Sequence, residues 1–157
     1  MKILTGVIIA IVIAVLCILG FIYSGIYNVA ATSPDSPLVA WILQETRESS
    51  VRSRASGLKV PAGFDKINTD RVYFVFHSIC ATCHGGSGPV SNGLNPYAPN
   101  LAESARELSP QAIFWIVRNG IKMTGMPAFG KTYADDEVWM ITAFVKQLPK
   151  TTAEPKR

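Results

Sequence analysis

From Ile3 to Val29 the chain carries no charged side chain, and from Ile3 to Tyr23 it is almost wholly Ile, Val, Leu, Ala, Gly and Phe. No other feature restricts the fold as strongly. At 1.5 Å rise per residue, about 20 such residues cross the roughly 30 Å hydrocarbon core of a bilayer as one helix. The competing reading is a secretory signal cleaved after Ala31, in the small-residue run Val29-Ala30-Ala31. Signal h-regions hold roughly 7–15 apolar residues, however, and this run is longer. Tyr23 and Tyr27 suit the far interface, where amphipathic rings settle at headgroup level. Lys2 lies on one flank, and the first basic residue on the other is Arg47. That asymmetry puts the amino terminus in the cytoplasm and the bulk of the chain outside. Cys17, inside the run, reads as a small apolar side chain.

Ser33-Pro34-Asp35-Ser36-Pro37 breaks the pattern, and Ser36 followed by Pro37 is an N-cap and first helical residue. The helix so predicted carries Leu38, Val39, Trp41 and Ile42 in its first turns and a polar part, Glu45 to Arg54, with Arg47, Arg52 and Arg54. It is a solvated spacer, a helix lying on the membrane surface, or a docking element for a partner subunit. Lys59-Val60-Pro61-Ala62-Gly63 marks the entrance to a domain. The expected organisation is a transmembrane signal anchor over 1–27, a linker with an amphipathic helix over 28–63, a compact helical domain over 64–149 and a polar tail over 150–157.

Within that domain stands Cys80-Ala81-Thr82-Cys83-His84. A CxxCH pentapeptide offers two thiols that form thioethers with haem vinyl groups and a histidine placed to ligate the iron. A thioredoxin-like dithiol also uses CxxC, but at the start of a helix after a strand, whereas this motif ends a helical period and runs into Gly85-Gly86. Zinc could draw on His77, Cys80, Cys83 and His84, yet adjacent Cys83 and His84 fit two vertices of one tetrahedron poorly. Three cysteines, one of them in the apolar run, make no disulfide framework. Fifteen basic against eleven acidic residues form no polybasic tract, which argues against nucleic-acid binding.

Around the motif the pattern is helical, with no strong strand signal. From an N-cap at Asn68 or Thr69, the residues Val72, Val75, Phe76, Ile79 and Cys83 share one face. Ser87 to Pro99 reads as loop. Ser109-Pro110 opens a helix with Ile113, Ile116 and Val117 inside and Gly120 as its stop. A second loop, Ile121 to Tyr133, contains Met123-Thr124-Gly125-Met126-Pro127. The last helix has Asp135, Asp136 and Glu137 in its first turn, Val138, Ile141, Val145 and Leu148 on its apolar face, and Pro149 as its end. Three main helices in about 85 residues bury a thin core, which a covalent porphyrin would complete.

Haem iron held by histidine on one side commonly takes a methionine thioether on the other. Met126, in a Gly-Met-Pro turn downstream of His84, is the expected sixth ligand. Met123 is its nearest competitor, Met140 reads as core or helix surface, and His77 sits one turn before Cys80, too close to reach the opposite face.

Taken in order, Cys80-Ala81-Thr82-Cys83-His84-Gly85-Gly86, Pro99-Asn100-Leu101, Trp115-Ile116-Val117-Arg118-Asn119-Gly120, Gly125-Met126-Pro127-Ala128-Phe129 and Asp136-Glu137-Val138-Trp139 resemble a class I c-type cytochrome over Asp65 to Leu148. The resemblance implies an all-α fold with one covalent haem c and crossing first and last helices. It implies that the carbonyl of Pro99 accepts the other ring proton of His84, that Leu101 packs on the haem, and that Trp115 lines the pocket or reaches a propionate. Val72 and Tyr73 stand where many relatives carry a glycine for close crossing, so the crossing is either wider here or admitted by Ala143 on the last helix. The leader is similar to those of membrane-tethered monohaem bacterial cytochromes. The expected function is one-electron transfer at the outer face of a bacterial cytoplasmic membrane, with the haem domain in the periplasm and redox proteins as partners. Lys122, Lys131 and Arg118 would form a weakly basic rim toward them. The alternatives are a cytochrome subunit of a larger respiratory complex and a haem enzyme or gas sensor with an open iron.

Overall fold

The computed structural model describes residues 2–66, 70–85 and 93–151. The expected N-cap at Asn68 or Thr69, Gly86, the first six residues of the Ser87–Pro99 loop and the end of the tail lie outside them. Every regular element among the described residues is helical. The chain divides into two compact units, Met1–Ser33 and Pro34–Arg157.

The first unit is one helix, α1 (Lys2–Ser24), with no buried residue. It is long and apolar enough to cross a membrane.

The second unit begins with α2 (Pro37–Ala55), where Ser36 accepts a hydrogen bond from the Val39 amide and Pro37 occupies the first turn. The short helices α3 (Asp70–Val75) and α4 (Ala81–His84) flank a π-helical stretch, Phe76–Cys80. Then come α5 (Leu101–Glu107), α6 (Pro110–Asn119) and α7 (Asp135–Thr151). Helix α6 starts at Ser109, which accepts from the Ala112 amide at 3.2 Å, and closes at Gly120. Glu137 accepts from the Ala134 amide at 3.0 Å at the start of α7, and the acids there suit the dipole. Helix α7 does not stop at Pro149. It continues to Thr151, because proline's fixed φ is helical and a single lost amide bond near the helix end is tolerated.

Two clusters hold this unit. The larger joins α3, the π stretch, α6 and α7 through Val72, Phe76, Ile113, Phe114, Val117, Val138, Trp139, Ile141 and Val145. Phe114 stacks on Trp139 with centroids 4.2 Å apart, and Phe64 meets the same indole edge-on at 5.8 Å. Where α3 meets α7 the contact is aromatic, with Phe76 and Tyr73 at 4.9 and 6.3 Å from Phe144, while Ala143 is buried in the same cluster. The smaller cluster buries Val51 and Ala55 of α2 with Ala112 of α6. The carboxyl-terminal half of α2 is therefore packed against the domain, not solvated on all sides.

Helix α5 is absent from the periodicity argument, which ran the loop up to Pro99-Asn100-Leu101. Asn100 caps it, its side-chain oxygen accepting from the Ala102 amide at 2.9 Å. At its other end Lys146 of α7 donates to the carbonyls of Ala105 and Leu108, the latter at 3.1 Å. A lysine there satisfies terminal carbonyls and sits at the negative end of the helix dipole. Lys146→Met keeps the aliphatic stem but removes both bonds. We expect about 2 kcal/mol of destabilisation, read as a lower urea midpoint at unchanged slope.

Candidate functional site

The π stretch decides which side chains reach the interior. A helix turns about 100° per residue, so the extra residue in a π turn re-aims everything after it. Ile79, expected on the inner face, is 39% exposed. Cys80 and Ala81 pack against the core in its place, and the inner succession becomes Val72, Phe76, Cys80. One short helix later come Cys83 and His84, both half-buried, before Gly85 at φ 68° ends the run.

Both cysteines are free thiols. Burial, and then the neighbouring Cys83, push the Cys80 thiol up from 9.0 to about 11. It is thus a neutral thiol at physiological pH. Redox-active CxxC pairs depend on a lowered pKa at the attacking cysteine, so this environment is the opposite of what a dithiol oxidoreductase builds.

His84 Nδ1 lies 2.9 Å from the carbonyl oxygen of Pro99. A carbonyl can only accept, so the proton sits on Nδ1 and the Nε2 lone pair is left for a metal. Pro99 immediately precedes the Asn100 cap, so the structure that anchors α5 also fixes the acceptor. His77 Nδ1 makes a local bond of 2.8 Å to the Tyr73 carbonyl, and its ring lies 4.0 Å from that of Tyr73; it is exposed on the π stretch.

The loop after α6 is closed by its own backbone. Ile121 N donates to the Met126 carbonyl at 3.2 Å. The Thr124 hydroxyl donates to the Ile121 carbonyl at 2.8 Å and accepts from the Met126 amide at 3.1 Å. Gly120, at φ +66°, sits beneath this turn so closely that a Cβ there would stand 2.7–2.8 Å from Met126 O, Pro127 C and Ala128 N. The two methionines diverge as a result. Met123 occupies a left-handed position, φ 60°, and is 90% exposed, whereas Met126 is half-buried against the larger cluster, as are Cys80, Leu101 and Phe129. Met140 packs against that cluster from α7.

Beyond the loop, Arg118 Nε is 2.6 Å from Asp135 Oδ1. Its charge is spent on that carboxylate, which leaves Lys122 and Lys131 as the basic side chains of the suggested rim. Trp115 is half-buried in the smaller cluster, with Val51, Ala55 and Ala112.

The donor set fits haem c. Two unpaired thiols precede in sequence a half-buried imidazole whose Nδ1 is fixed by Pro99, and a half-buried thioether is held in a closed turn. Among the described residues no group of three His, Cys, Asp or Glu forms a separate metal site. In the sequence Gly120 reads as a helix stop, and Thr124, Asn100 and Lys146 carry no role of their own. Asn100 before Leu-Ala-Glu-Ser-Ala-Arg-Glu is nevertheless a legible cap; nothing in the sequence marks Thr124 or Lys146.

Residues 68–145 match the family described as cytochrome c oxidase, cbb3-type, subunit III. No curated protein and no solved structure matches the chain.

Proposed function

We propose, from the premise that residues 68–145 are a cytochrome c domain of the cbb3-type oxidase subunit III family, that this chain is a membrane-tethered one-electron carrier with His/Met-ligated haem c. The observation that carries the finer reading is the pairing of an imidazole already oriented by Pro99 with a methionine turned inward, Met126, against one turned outward, Met123.

When bound, haem c supplies a one-electron ferric/ferrous couple. The chain does the rest. Cys80 and Cys83 would hold the group covalently through thioethers; the Pro99 carbonyl keeps the Nδ1 proton of His84 in place, so Nε2 would be the ligating nitrogen; the Thr124 and Ile121 hydrogen bonds fix the Met126 backbone, whose thioether would be the second protein ligand. Leu101 and Phe129 exclude water. His84 and Met126 would both be protein ligands to the iron, so no substrate would need to reach the metal, which is the setting of an electron carrier. Helix α1 serves as anchor, with the domain on the periplasmic side of a bacterial cytoplasmic membrane and redox proteins as donor and acceptor. The division proposed is anchor 1–27, linker 28–63, cytochrome domain 64–149 and tail 150–157.

A second reading is favoured by the family description itself: a subunit of a larger membrane oxidoreductase, such as a terminal oxidase. Extraction in mild detergent separates the two. Migration of the haem protein alone supports the free carrier, and comigration with other subunits supports the complex.

Covalent attachment is checked directly. The double variant Cys80→Ser with Cys83→Ser is expected to lose all haem stain on a denaturing gel after expression with the cytochrome c maturation machinery. Retained covalent haem would refute the attachment sites.

A further inference from the structure

Helix α2 carries Leu38, Val39, Ala40, Trp41, Ile42 and Leu43 in unbroken succession. At about 100° per residue, six consecutive positions point in every direction around the axis. This end of the helix is apolar all round, not along one stripe. Leu38 is 64% exposed, Trp41 61%, Leu43 50% and Ile42 46%. The other half of the same helix is seated on α6 through Val51 and Ala55.

A helix with one apolar face is completed by a groove, but one that is apolar all round needs apolar surroundings on every side. Lipid provides them. From Pro37 to Leu43 the helix rises about 9 Å, far short of the roughly 30 Å hydrocarbon core, so this end can reach the boundary region but not cross the bilayer. No charged residue lies between Ser36 and Gln44, and Asp35, just before the cap, would stay at headgroup level; Trp41 is the residue type that settles at that boundary. Twelve residues separate Ser24, the end of α1, from Pro37; fully extended, they and their junctions reach about 45 Å. With α1 across a bilayer, the start of α2 cannot leave that membrane's neighbourhood.

We propose that the Pro37–Leu43 end of α2 inserts into the headgroup–acyl boundary of the membrane that α1 spans. Helix α2 is then a strut, with one end in lipid and the other packed on α6, and it sets how the haem-bearing domain faces the membrane. This rests on the reading of α1 as a bilayer span.

The test uses full-length, haem-loaded protein with Cys17→Ala, in nanodiscs of phosphatidylcholine and phosphatidylglycerol, kept ferrous. Single nitroxide labels go on Val12→Cys, Trp41→Cys, Leu43→Cys and Ser49→Cys. Collision with oxygen and with a water-soluble nickel chelate then reports depth. Labels at 41 and 43 are expected to meet the chelate several-fold less than the label at 49, and the label at 12 hardly at all. Position 43 is read with Trp41 intact, so loss of the indole cannot by itself produce the result. Labels at 41 and 43 as open to the chelate as 49, with 12 still in lipid, overturn the strut and leave the anchor standing. Should those positions instead photocross-link to a protein in native membranes while staying open in nanodiscs, the surface belongs to a partner and the lipid proposal is wrong. A water-exposed label at 12 removes both readings together.

Discussion

Replacing Met126 with alanine is expected to abolish the far-red sulfur-to-iron absorption of the ferric protein and to let the ferrous protein bind carbon monoxide stoichiometrically at neutral pH. Met123→Ala should change neither. The contrast follows from the backbone. Met123 projects from a left-handed residue into solvent, whereas Met126 is held inward by hydrogen bonds at both its amide and its carbonyl. Met126 is only half-buried, so its truncation should cost less than the roughly 2–5 kcal/mol typical of a fully buried methionine, and the variant should remain folded for the spectra to be read. Loss of the band in Met123→Ala with retention in Met126→Ala would reverse the assignment. Ready carbon monoxide binding by the unmodified protein would favour the open-iron reading, an enzyme or sensor.

Gly120→Ala is expected to be strongly destabilising. Its φ of +66° and ψ of −173° lie in a region that is nearly glycine-only, worth about 1–3 kcal/mol of strain for another residue. The added Cβ would also meet three backbone atoms of Met126, Pro127 and Ala128 at 2.7–2.8 Å, and backbone closed by its own hydrogen bonds cannot yield cheaply. We expect a loss of about 3 kcal/mol or more in urea denaturation, with a weakened sulfur-to-iron band because the methionine turn is displaced. Gly125→Ala is the control. Its nearest neighbour is the Cδ2 end of Leu94 at 2.7 Å, a flexible side chain that can rotate away, so its cost should stay below about 1.5 kcal/mol. Equal effects at the two glycines would show that the clash with the turn is not what matters.

Much of the helical architecture is legible before any coordinates, because its signals are local. An uncharged apolar run specifies α1, Ser109-Pro110 and Gly120 bracket α6, and three acids before an apolar period specify α7. The chemistry-bearing residues are legible for the same reason, as motifs of adjacent residues. The misreadings fall where position depends on something distant. Ile79 and Cys80 exchange places because the π stretch breaks a period that the sequence reading assumed to be uniform. Helix α5 is only seven residues long, too short to show a period, and depends on Asn100 at one end and on Lys146, far along the chain, at the other. The buried residues that seat α2 are Val51 and Ala55, two small residues in an otherwise polar half-helix, which carry no stripe to read. Gly120's role depends on a contact with residues six to eight positions later, which no spacing rule anticipates.

The seating of α2 on α6 also changes the leash. Read as sequence, the linker between anchor and domain runs over residues 28–63. With Val51 and Ala55 buried against Ala112, the segment free to pay out shrinks to the twelve residues between Ser24 and Pro37. With α1 as the anchor proposed above, so short a leash would confine its cargo to a small volume, and confinement is concentration: a site within reach on the same membrane would meet the domain at an effective level on the order of millimolar. Electron exchange with a neighbour so placed would be governed by the geometry of the tether and hardly at all by how much of the protein the cell makes.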